Sequence, residues 1–167
     1  MRSEDQGCTI SRYSVIPRVL IFVINSNDQV LLLKGASNKK LWSGKWNGLG
    51  GHVEEGEDLI SAAKRELWEE SGIISEDVTL CGVVMINTGT NPGVCMFVYR
   101  ADYGSGDLKN SDEGELKWVD FGELGNYNLV DDVSILLSKI ITHKAENKVF
   151  YALYEFDEND QLVVKFY

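Results

Sequence analysis

Cysteine and long apolar stretches are scarce in this sequence of 167 residues, and both shortages exclude classes of protein. The three cysteines, Cys8, Cys81 and Cys95, are odd in number and widely spaced, so they make neither a disulfide framework nor a zinc-binding spacing. We interpret them as isolated buried or exposed thiols, and we expect a reducing, cytoplasmic location. The longest strongly apolar run, residues 19–24, is too short to cross a bilayer, and the polar N-terminus does not resemble a signal peptide.

Positive charge is also in short supply. Lysine and arginine total 16 against 26 aspartates and glutamates, which gives a formal net charge of −10. A surface that binds DNA or RNA would be basic, so we expect a small-molecule partner and neither a nucleic-acid polymer nor a membrane. One loop, residues 34–45, does gather basic side chains that could attract phosphates, although such loops are more often simply solvated. Its lysines are Lys34, Lys39, Lys40 and Lys45.

The length and the 44% hydrophobic content suit a single domain over residues 1–167, of which residues 1–12 form a flexible polar arm. Apolar residues at helical spacing predict a helix over residues 129–143. Strand patterns occur at residues 18–25, 29–33, 78–87, 93–102, 115–121, 148–156 and 162–167, with a short extended segment at 46–50. Because strands and helices do not alternate regularly, we predict an α+β domain with a mixed sheet between helices.

The densest charge lies in residues 51–73, GHVEEGEDLISAAKRELWEESGI. Asp58 can cap a helix and Gly72 can end it, so we predict a helix over residues 58–71. At about 100° per residue, the acids Glu66, Glu69 and Glu70 fall on the apolar arc of that helix. The same arc holds Leu59, Ala62 and Ala63, whereas the opposite side holds Ser61, Lys64, Trp68 and Ser71.

Three carboxylates on an inward face repel one another and lose hydration. Arg65, four residues before Glu69, can neutralise one of them, and a hard divalent cation with oxygen ligands can neutralise the rest. A solvated acidic helix face is the ordinary alternative. The placement of the acids, and Glu57 ahead of the first turn, favour the metal site.

The same stretch resembles the Nudix box, G-x5-E-x7-R-E-U-x-E-E-x-G-U, in which U is an aliphatic residue. Every fixed position is filled, by Gly51, Glu57, Arg65, Glu66, Leu67, Glu69, Glu70, Gly72 and Ile73. The resemblance implies the Nudix α/β/α sandwich, a bound Mg²⁺ or Mn²⁺, and hydrolysis of a nucleoside diphosphate linked to another group. Such metals neutralise the diphosphate and lower the pKa of bound water.

Carried onto this sequence, the resemblance makes Glu66, Glu69 and Glu70 metal ligands, with the Gly51 carbonyl as a further ligand. Arg65 would orient the glutamates through charge-assisted hydrogen bonds, and Glu57 would support that arrangement from behind.

The base that accepts the water proton stays open between Glu113, Glu115 and a box glutamate such as Glu69. Glu113 precedes a predicted strand and is also a candidate metal ligand, although an acidic surface turn explains it equally well.

Segments outside the box resemble the MutT-type enzymes that hydrolyse 8-oxo-dGTP and other oxidised purine nucleoside triphosphates. These are KWNGLGG at residues 45–51, Ser111-Asp112-Glu113 followed by Trp118, the pair Asp131-Asp132, and the terminal hairpin pattern. We therefore expect substrate contacts from Lys45, Asn47, Asp131 and Asp132, with Trp46 or Trp118 either stacking on the base or packing in the core. Helix capping is an equally good interpretation of the two aspartates.

The expected activity is Mg²⁺-dependent cleavage of an oxidised purine nucleoside triphosphate to the monophosphate and pyrophosphate. Two departures from that subgroup, His52 in place of a lysine and a longer 34–45 loop, leave the base open. The alternatives are another Nudix substrate, such as ADP-ribose or a nucleotide sugar, and a catalytically silent nucleotide sensor, which the complete box disfavours.

Overall fold

The structure is a computed structural model that describes residues 7, 12–37, 42–109, 114–143 and 147–167. Cys8, Lys39, Lys40, Glu113 and most of the predicted arm lie outside these residues. Within them the chain forms eight strands, two α-helices and a 3₁₀ helix at Phe121–Asn126. The strands are β1 Val15–Ile24, β2 Gln29–Gly35, β3 Trp46–Asn47, β4 Val78–Ile86, β5 Gly93–Asp102, β6 Gly114–Asp120, β7 Phe150–Phe156 and β8 Leu162–Phe166; the helices are α1 Leu59–Ser71 and α2 Val133–Ile140.

All eight strands join one mixed sheet. Its central strand, β1, pairs in parallel with β5 along its whole length, from Val15 opposite Gly93 to Ile24 opposite Asp102. Beyond β5 the order continues β4, β7, β8, with a parallel β4–β7 pair between two antiparallel pairs. On the other side of β1, β2 pairs antiparallel with β6. The predicted α+β class and mixed sheet are confirmed.

The strands β1 and β2 diverge, and a separate stretch fills the gap between them. They pair directly only near their turn, through Val23–Leu31 and Ile24–Val30. The stretch that enters the gap, residues 46–53, is called the inserted segment below. Its β3 portion pairs with β2, and its later portion bonds to β1, with Leu49 and Ile21 exchanging hydrogen bonds of 2.7 and 3.0 Å.

One helix covers each face of the sheet. Side chains alternate between the faces along a strand, so Val19, Ile21 and Val23 of β1 pack in the cluster beneath α1. Leu20 and Phe22 pack in the cluster beneath α2. Burial on both faces explains why residues 19–24 of β1 form an unbroken apolar run, and the layers form the expected α/β/α sandwich.

The helix α1 has the bounds that its capping residues predict. The Asp58 side chain accepts hydrogen bonds from the N–H groups of Ile60 and Ser61 at 2.9 and 3.0 Å. At the other end Gly72 adopts the left-handed conformation, with φ +75°, and its N–H bonds to the Trp68 carbonyl. The exposed Trp68 lies on the outer side as predicted.

The outward placement predicted for Ser71 is wrong, because Ser71 is fully buried. The loop before β6 folds over the end of α1, where the Lys109 N–H donates to the Ser71 carbonyl at 2.9 Å. The Ser71 hydroxyl is satisfied locally by donating to the Leu67 carbonyl at 2.6 Å. A helical angle alone does not reveal a loop that packs against the helix end.

The helix α2 is shorter than the predicted 129–143 stretch. Its predicted first turn instead pairs with the inserted segment, where Trp46 bonds to the backbone of Asn128 and Val130 at 2.8 and 2.9 Å. At the far end, Arg100 of β5 donates to the Ile141 carbonyl at 2.7 Å and so satisfies an open helix carbonyl. No helix in the described part of the chain is long and apolar enough to cross a membrane.

Two of the three cysteines are described, and both are buried free thiols. Burial raises the pKa of the Cys81 thiol to about 11 and raises that of Cys95 as well. Both thiols are therefore protonated near neutral pH and act as small apolar core groups.

Gly72→Ala is expected to lower the free energy of unfolding by about 1–2 kcal/mol, because L-residues are disfavoured in the left-handed region. An added Cβ would also meet the Asp107 carbonyl oxygen at 2.9 Å. Urea unfolding followed by circular dichroism measures the change. Gly122→Ala is the matched control, since a Cβ there meets nothing within 4 Å, and equal losses in the two variants would contradict the argument.

Candidate active site

The acidic side of α1 meets the inserted segment at Gly50 and Gly51. Glu70, in the last turn of α1, is 7% exposed, and its carboxylate accepts a hydrogen bond from the Gly50 N–H at 2.7 Å. The Glu66 carboxylate lies directly against Gly51, so that a Cβ at residue 51 would overlap it. A side chain at position 51 would therefore displace the Glu66 carboxylate.

The Gly51 carbonyl, predicted as a metal ligand, already accepts a hydrogen bond from the Val19 N–H at 3.0 Å. A carbonyl oxygen has two lone pairs, so one remains for a metal. The sheet hydrogen bond fixes the direction in which that oxygen points.

Arg65 ties the acidic groups together. Its guanidinium binds both carboxylate oxygens of Glu57, each at 3.0 Å. The same group donates to Glu66 at 2.9 Å, to Glu69 at 3.1 Å and to the His52 carbonyl at 2.9 Å. These contacts are the ones that the predicted orienting role of Arg65 and supporting role of Glu57 require.

The ion pairs also fix the charge states of Arg65 and Glu57. Hydrogen bonding from Arg65 holds the pKa of Glu57 below its usual value. The same pairing, chiefly with Glu57, raises the pKa of Arg65 above that of an ordinary arginine. Both groups therefore stay ionised throughout the neutral range.

The three box carboxylates differ in exposure. Glu66 and Glu70 are largely buried, whereas the Glu69 side chain is 51% exposed. The predicted inward face thus holds for Glu66 and Glu70, and Glu69 lies at its rim. Among the described residues, no three acidic, histidine or cysteine side chains are grouped closely enough to hold a metal ion. The Arg65 guanidinium lies between Glu66 and Glu69 and bonds to both.

A cavity of about 1010 Å³ opens beside these carboxylates and runs towards α2. Its acidic end is formed by Glu54, Glu66, Glu69 and Glu70 with the two glycines. Its far end is formed by apolar side chains with Asp132 and Tyr154, and its rim includes Asn47, Trp42 and Asp131. The volume suits a ligand of nucleotide size.

Asp132 lies at the N-terminus of α2 without capping it. Its side chain makes no capping hydrogen bond, although the residue is only 9% exposed. Burial, with a smaller effect of the Asp131 charge, raises the pKa of Asp132 above its usual value. The capping interpretation of Asp132 is therefore wrong, and the carboxyl faces the cavity instead.

Tyr154 lies beside Asp132 in the far end of the cavity. Its hydroxyl is buried and makes no hydrogen bond of good geometry to a described residue. Burial and the Asp132 charge raise the pKa of Tyr154, so the phenol keeps its proton. The pair places a hydroxyl and a carboxyl side by side at the far end of the cavity.

The other predicted substrate residues have partners within the chain. Lys45 forms an ion pair with Asp131 at 2.8 Å, at the rim rather than inside the cavity. Asn47 lines the cavity and accepts a hydrogen bond from the Gly48 N–H at 2.8 Å. Lys34 pairs with Glu115 at 3.8 Å, and Glu113 lies outside the described residues.

The aromatic side chains divide between the core and the cavity. Trp46 is buried and packs edge-on against Tyr127, with ring centroids 5.6 Å apart. Trp118 packs in the same way against Tyr103. Both therefore fit the core-packing interpretation. Trp42, which sequence reasoning missed, is half-exposed at the cavity rim.

Sequence reasoning also missed Arg18 and Tyr154, which both line the cavity. Arg18 is the only charged residue within β1, and that break in an apolar strand was a usable signal. Tyr154 carried no comparable signal, because an aromatic residue in an alternating strand is ordinary core composition.

The fold and the acidic site are those of one family of hydrolases. A family model described as the NUDIX domain matches residues 15–139, so the chain belongs to the Nudix family and is a Nudix hydrolase. It is similar to the oxidized purine nucleoside triphosphate hydrolase of Danio rerio, with 31% identity over 133 residues, 79% of this chain and 83% of the relative.

A further relative agrees with that assignment, and a solved structure shares the fold. The oxidized purine nucleoside triphosphate hydrolase of Mus musculus is 27% identical over 147 residues, which cover 87% of this chain and 91% of the relative. The crystal structure of a MutT protein from Bacillus halodurans shares the fold with a TM-score of 0.75 at 23% identity, covering 91% of this chain and 97% of the other.

Glu57→Gln is expected to destabilise the protein at pH 7 by an amount that vanishes in acid. Because the folded pKa of Glu57 is lowered from 4.5, its stabilising effect is present above that pH and disappears as the pH falls through the folded value. Urea unfolding of both proteins from pH 7 to pH 3 measures the difference. Glu55→Gln, an exposed neighbour, is the control, and a difference that does not change with pH would refute the ion-pair explanation.

Proposed function

We propose that this Nudix hydrolase cleaves oxidised purine nucleoside triphosphates to the monophosphate and pyrophosphate, using Mg²⁺ or Mn²⁺ at the carboxylates of α1. One observation carries the proposal: a single cavity joins those carboxylates to a buried Asp132 that caps no helix. Relatives named for this activity support it.

The chain's donor set fits a hard divalent cation. Glu66, Glu69 and Glu70 would hold it, with the free lone pair of Gly51 or the carboxylate of Glu113 as further ligands. All are oxygen donors, and their negative charge exceeds what Arg65 supplies. When bound, such a metal neutralises phosphate oxygens and lowers the pKa of a bound water.

Arg65 supports this site by holding Glu66 and Glu69 in place with charge-assisted hydrogen bonds. Its two bonds to Glu57 fix the guanidinium itself. If Glu66 and Glu69 turned to hold a metal, Arg65 would stay anchored by Glu57 and by the His52 carbonyl. Glu57 would therefore hold Arg65 in place both with and without a bound metal.

The base that takes the proton from water is proposed to be Glu69 or Glu113. Glu69 lines the cavity and is half-exposed, so it can exchange protons with solvent. Glu115 is outside the cavity lining and is paired with Lys34, which makes it the weaker choice.

The far end of the cavity suits a purine that offers both a donor and an acceptor. A carboxyl group with a raised pKa can accept a hydrogen bond when ionised or donate one when protonated. The Tyr154 hydroxyl adds a second group with both capacities. Apolar side chains such as Leu20 and Met96 line the rest of that end and suit the faces of a base.

Glu66→Gln and Glu70→Gln are each expected to lower turnover by at least about 100-fold, because each removes a negative charge from the proposed metal site. Release of pyrophosphate from 8-oxo-dGTP, measured over a range of Mg²⁺ concentrations, checks this. Circular dichroism confirms that the variants fold. Glu76→Gln, an exposed acid beyond the helix, serves as the control, and unchanged Mg²⁺-dependent hydrolysis in both site variants would refute the metal assignment.

A panel of substrates tests the proposed specificity. The expected order places 8-oxo-dGTP above dGTP, pyrimidine triphosphates, ADP-ribose and nucleotide sugars in kcat/KM. Asp132→Asn should lower kcat/KM for the oxidised purine by about 10–100-fold, the effect of one charged hydrogen bond. Asp120→Asn, outside the cavity lining, should change nothing. Preference for ADP-ribose or a nucleotide sugar would overturn the substrate proposal, and absence of hydrolysis of any of them would favour a nucleotide sensor.

A further inference from the structure

Arg18 differs from the other arginines that contact the protein interior. Arg65 and Arg100 donate hydrogen bonds to carboxylates and carbonyl groups. The Nε of Arg18 is buried without a hydrogen-bond partner, and Arg18 forms no ion pair with any other described residue. A buried donor without a partner costs free energy, so a missing acceptor is the natural explanation.

Arg18 is suited to bind an anion that enters the cavity. Among the described residues that line the cavity, Arg18 is the only one with a permanent positive charge, and it faces a lining that includes six carboxylates. The arginine fork has five N–H donors that match phosphate oxygens and other oxyanions. Because no described carboxylate pairs with Arg18, its guanidinium is available to an oxyanion of a bound ligand.

Arg18 lies between the two ends of the cavity. On one side its strand partner is His52, and the next residue, Val19, is bonded to Gly51 beside the Glu66 carboxylate. On the other side Arg18 is in register with Met96. Alternation places Arg18 on the same face of β1 as Leu20, whose cluster contains Tyr154.

A nucleotide that reaches from Asp132 to the carboxylates of α1 must pass over Arg18. The base would occupy the Tyr154 end, and the terminal phosphates would occupy the carboxylate end. The part of the ligand above Arg18 is then the ribose with its attached phosphate.

We propose that Arg18 binds the phosphate nearest the ribose and so positions the nucleotide between the base pocket and the carboxylates. This inference rests on the proposed function only in taking a nucleotide as the ligand. It requires neither a particular base nor a bound metal. The lysines of the 34–45 loop that are described are weaker candidates, because Lys34 and Lys45 are paired with Glu115 and Asp131.

The test compares a nucleotide with and without its phosphate. Binding of 8-oxo-dGMP and of 8-oxo-deoxyguanosine is measured by isothermal titration calorimetry in EDTA, so that no metal contributes. Arg18→Gln should weaken binding of the monophosphate by about 10–100-fold and leave binding of the nucleoside unchanged. Arg18→Lys, which keeps the charge but loses the fork, should show a smaller loss.

Two controls separate binding from folding. Arg12→Gln makes the same charge change at an exposed position and should leave both affinities unchanged. The melting temperature of Arg18→Gln should not fall, because the change removes a buried donor that has no partner. An equal loss of affinity for nucleoside and monophosphate, or no loss for either, would overturn the proposal.

Failure of the proposed substrate would look different. In that case the substrate panel selects another nucleotide, and its monophosphate and nucleoside replace the 8-oxo compounds in the same titration. The role of Arg18 is then judged on that pair of ligands by the same difference.

Discussion

The hydrogen bond between the Gly50 N–H and the buried Glu70 carboxylate joins the two structural elements on which the site depends. One is the divided sheet, in which residues 46–53 separate β1 from β2. The other is α1, whose caps fix where its acids lie. Gly51 bonds to β1 and lies against Glu66, and its neighbour Gly50 bonds to Glu70. The geometry of the sheet therefore sets the geometry of the carboxylates. A shift in the inserted segment would therefore move the acids as well.

Charge is distributed unevenly along the cavity. Arg65 is held among carboxylates and neutralises part of their repulsion, whereas Arg18 faces the cavity and its Nε has no hydrogen-bond partner among the described residues. At the far end, Asp132 and Tyr154 both have raised pKa values because burial penalises their charged forms. Burial therefore opposes ionisation of both groups at that end, whereas Glu66 and Glu69 at the α1 end are held beside the charged Arg65.

The fold was largely predictable because its signals are local. The Asp58 cap, the Gly72 terminator and the alternation in the strands depend on neighbouring residues, and the predicted elements match them closely. The box residues were predictable because the Nudix motif fixes the number of residues between them. Ser71, the start of α2 and the partners of Lys45 were not, since each is decided by a contact with a distant segment. Tyr154 shows the same limit, because its place in the cavity is a property of the assembled fold, whereas Arg18 was marked by its charge within an apolar strand.

The parallel pairing of β1 with β5 has a kinetic consequence. Its partners, such as Val15 and Gly93, lie far apart along the chain, so a long loop must close before β1 gains β5 as a neighbour. Pairings of this kind slow folding, because the entropy of the loop is lost before the contacts form. Arg18 and the partner of Gly51 both lie on β1. The cleft therefore depends on this long-range pairing as well as on the local pairing of β1 with β2.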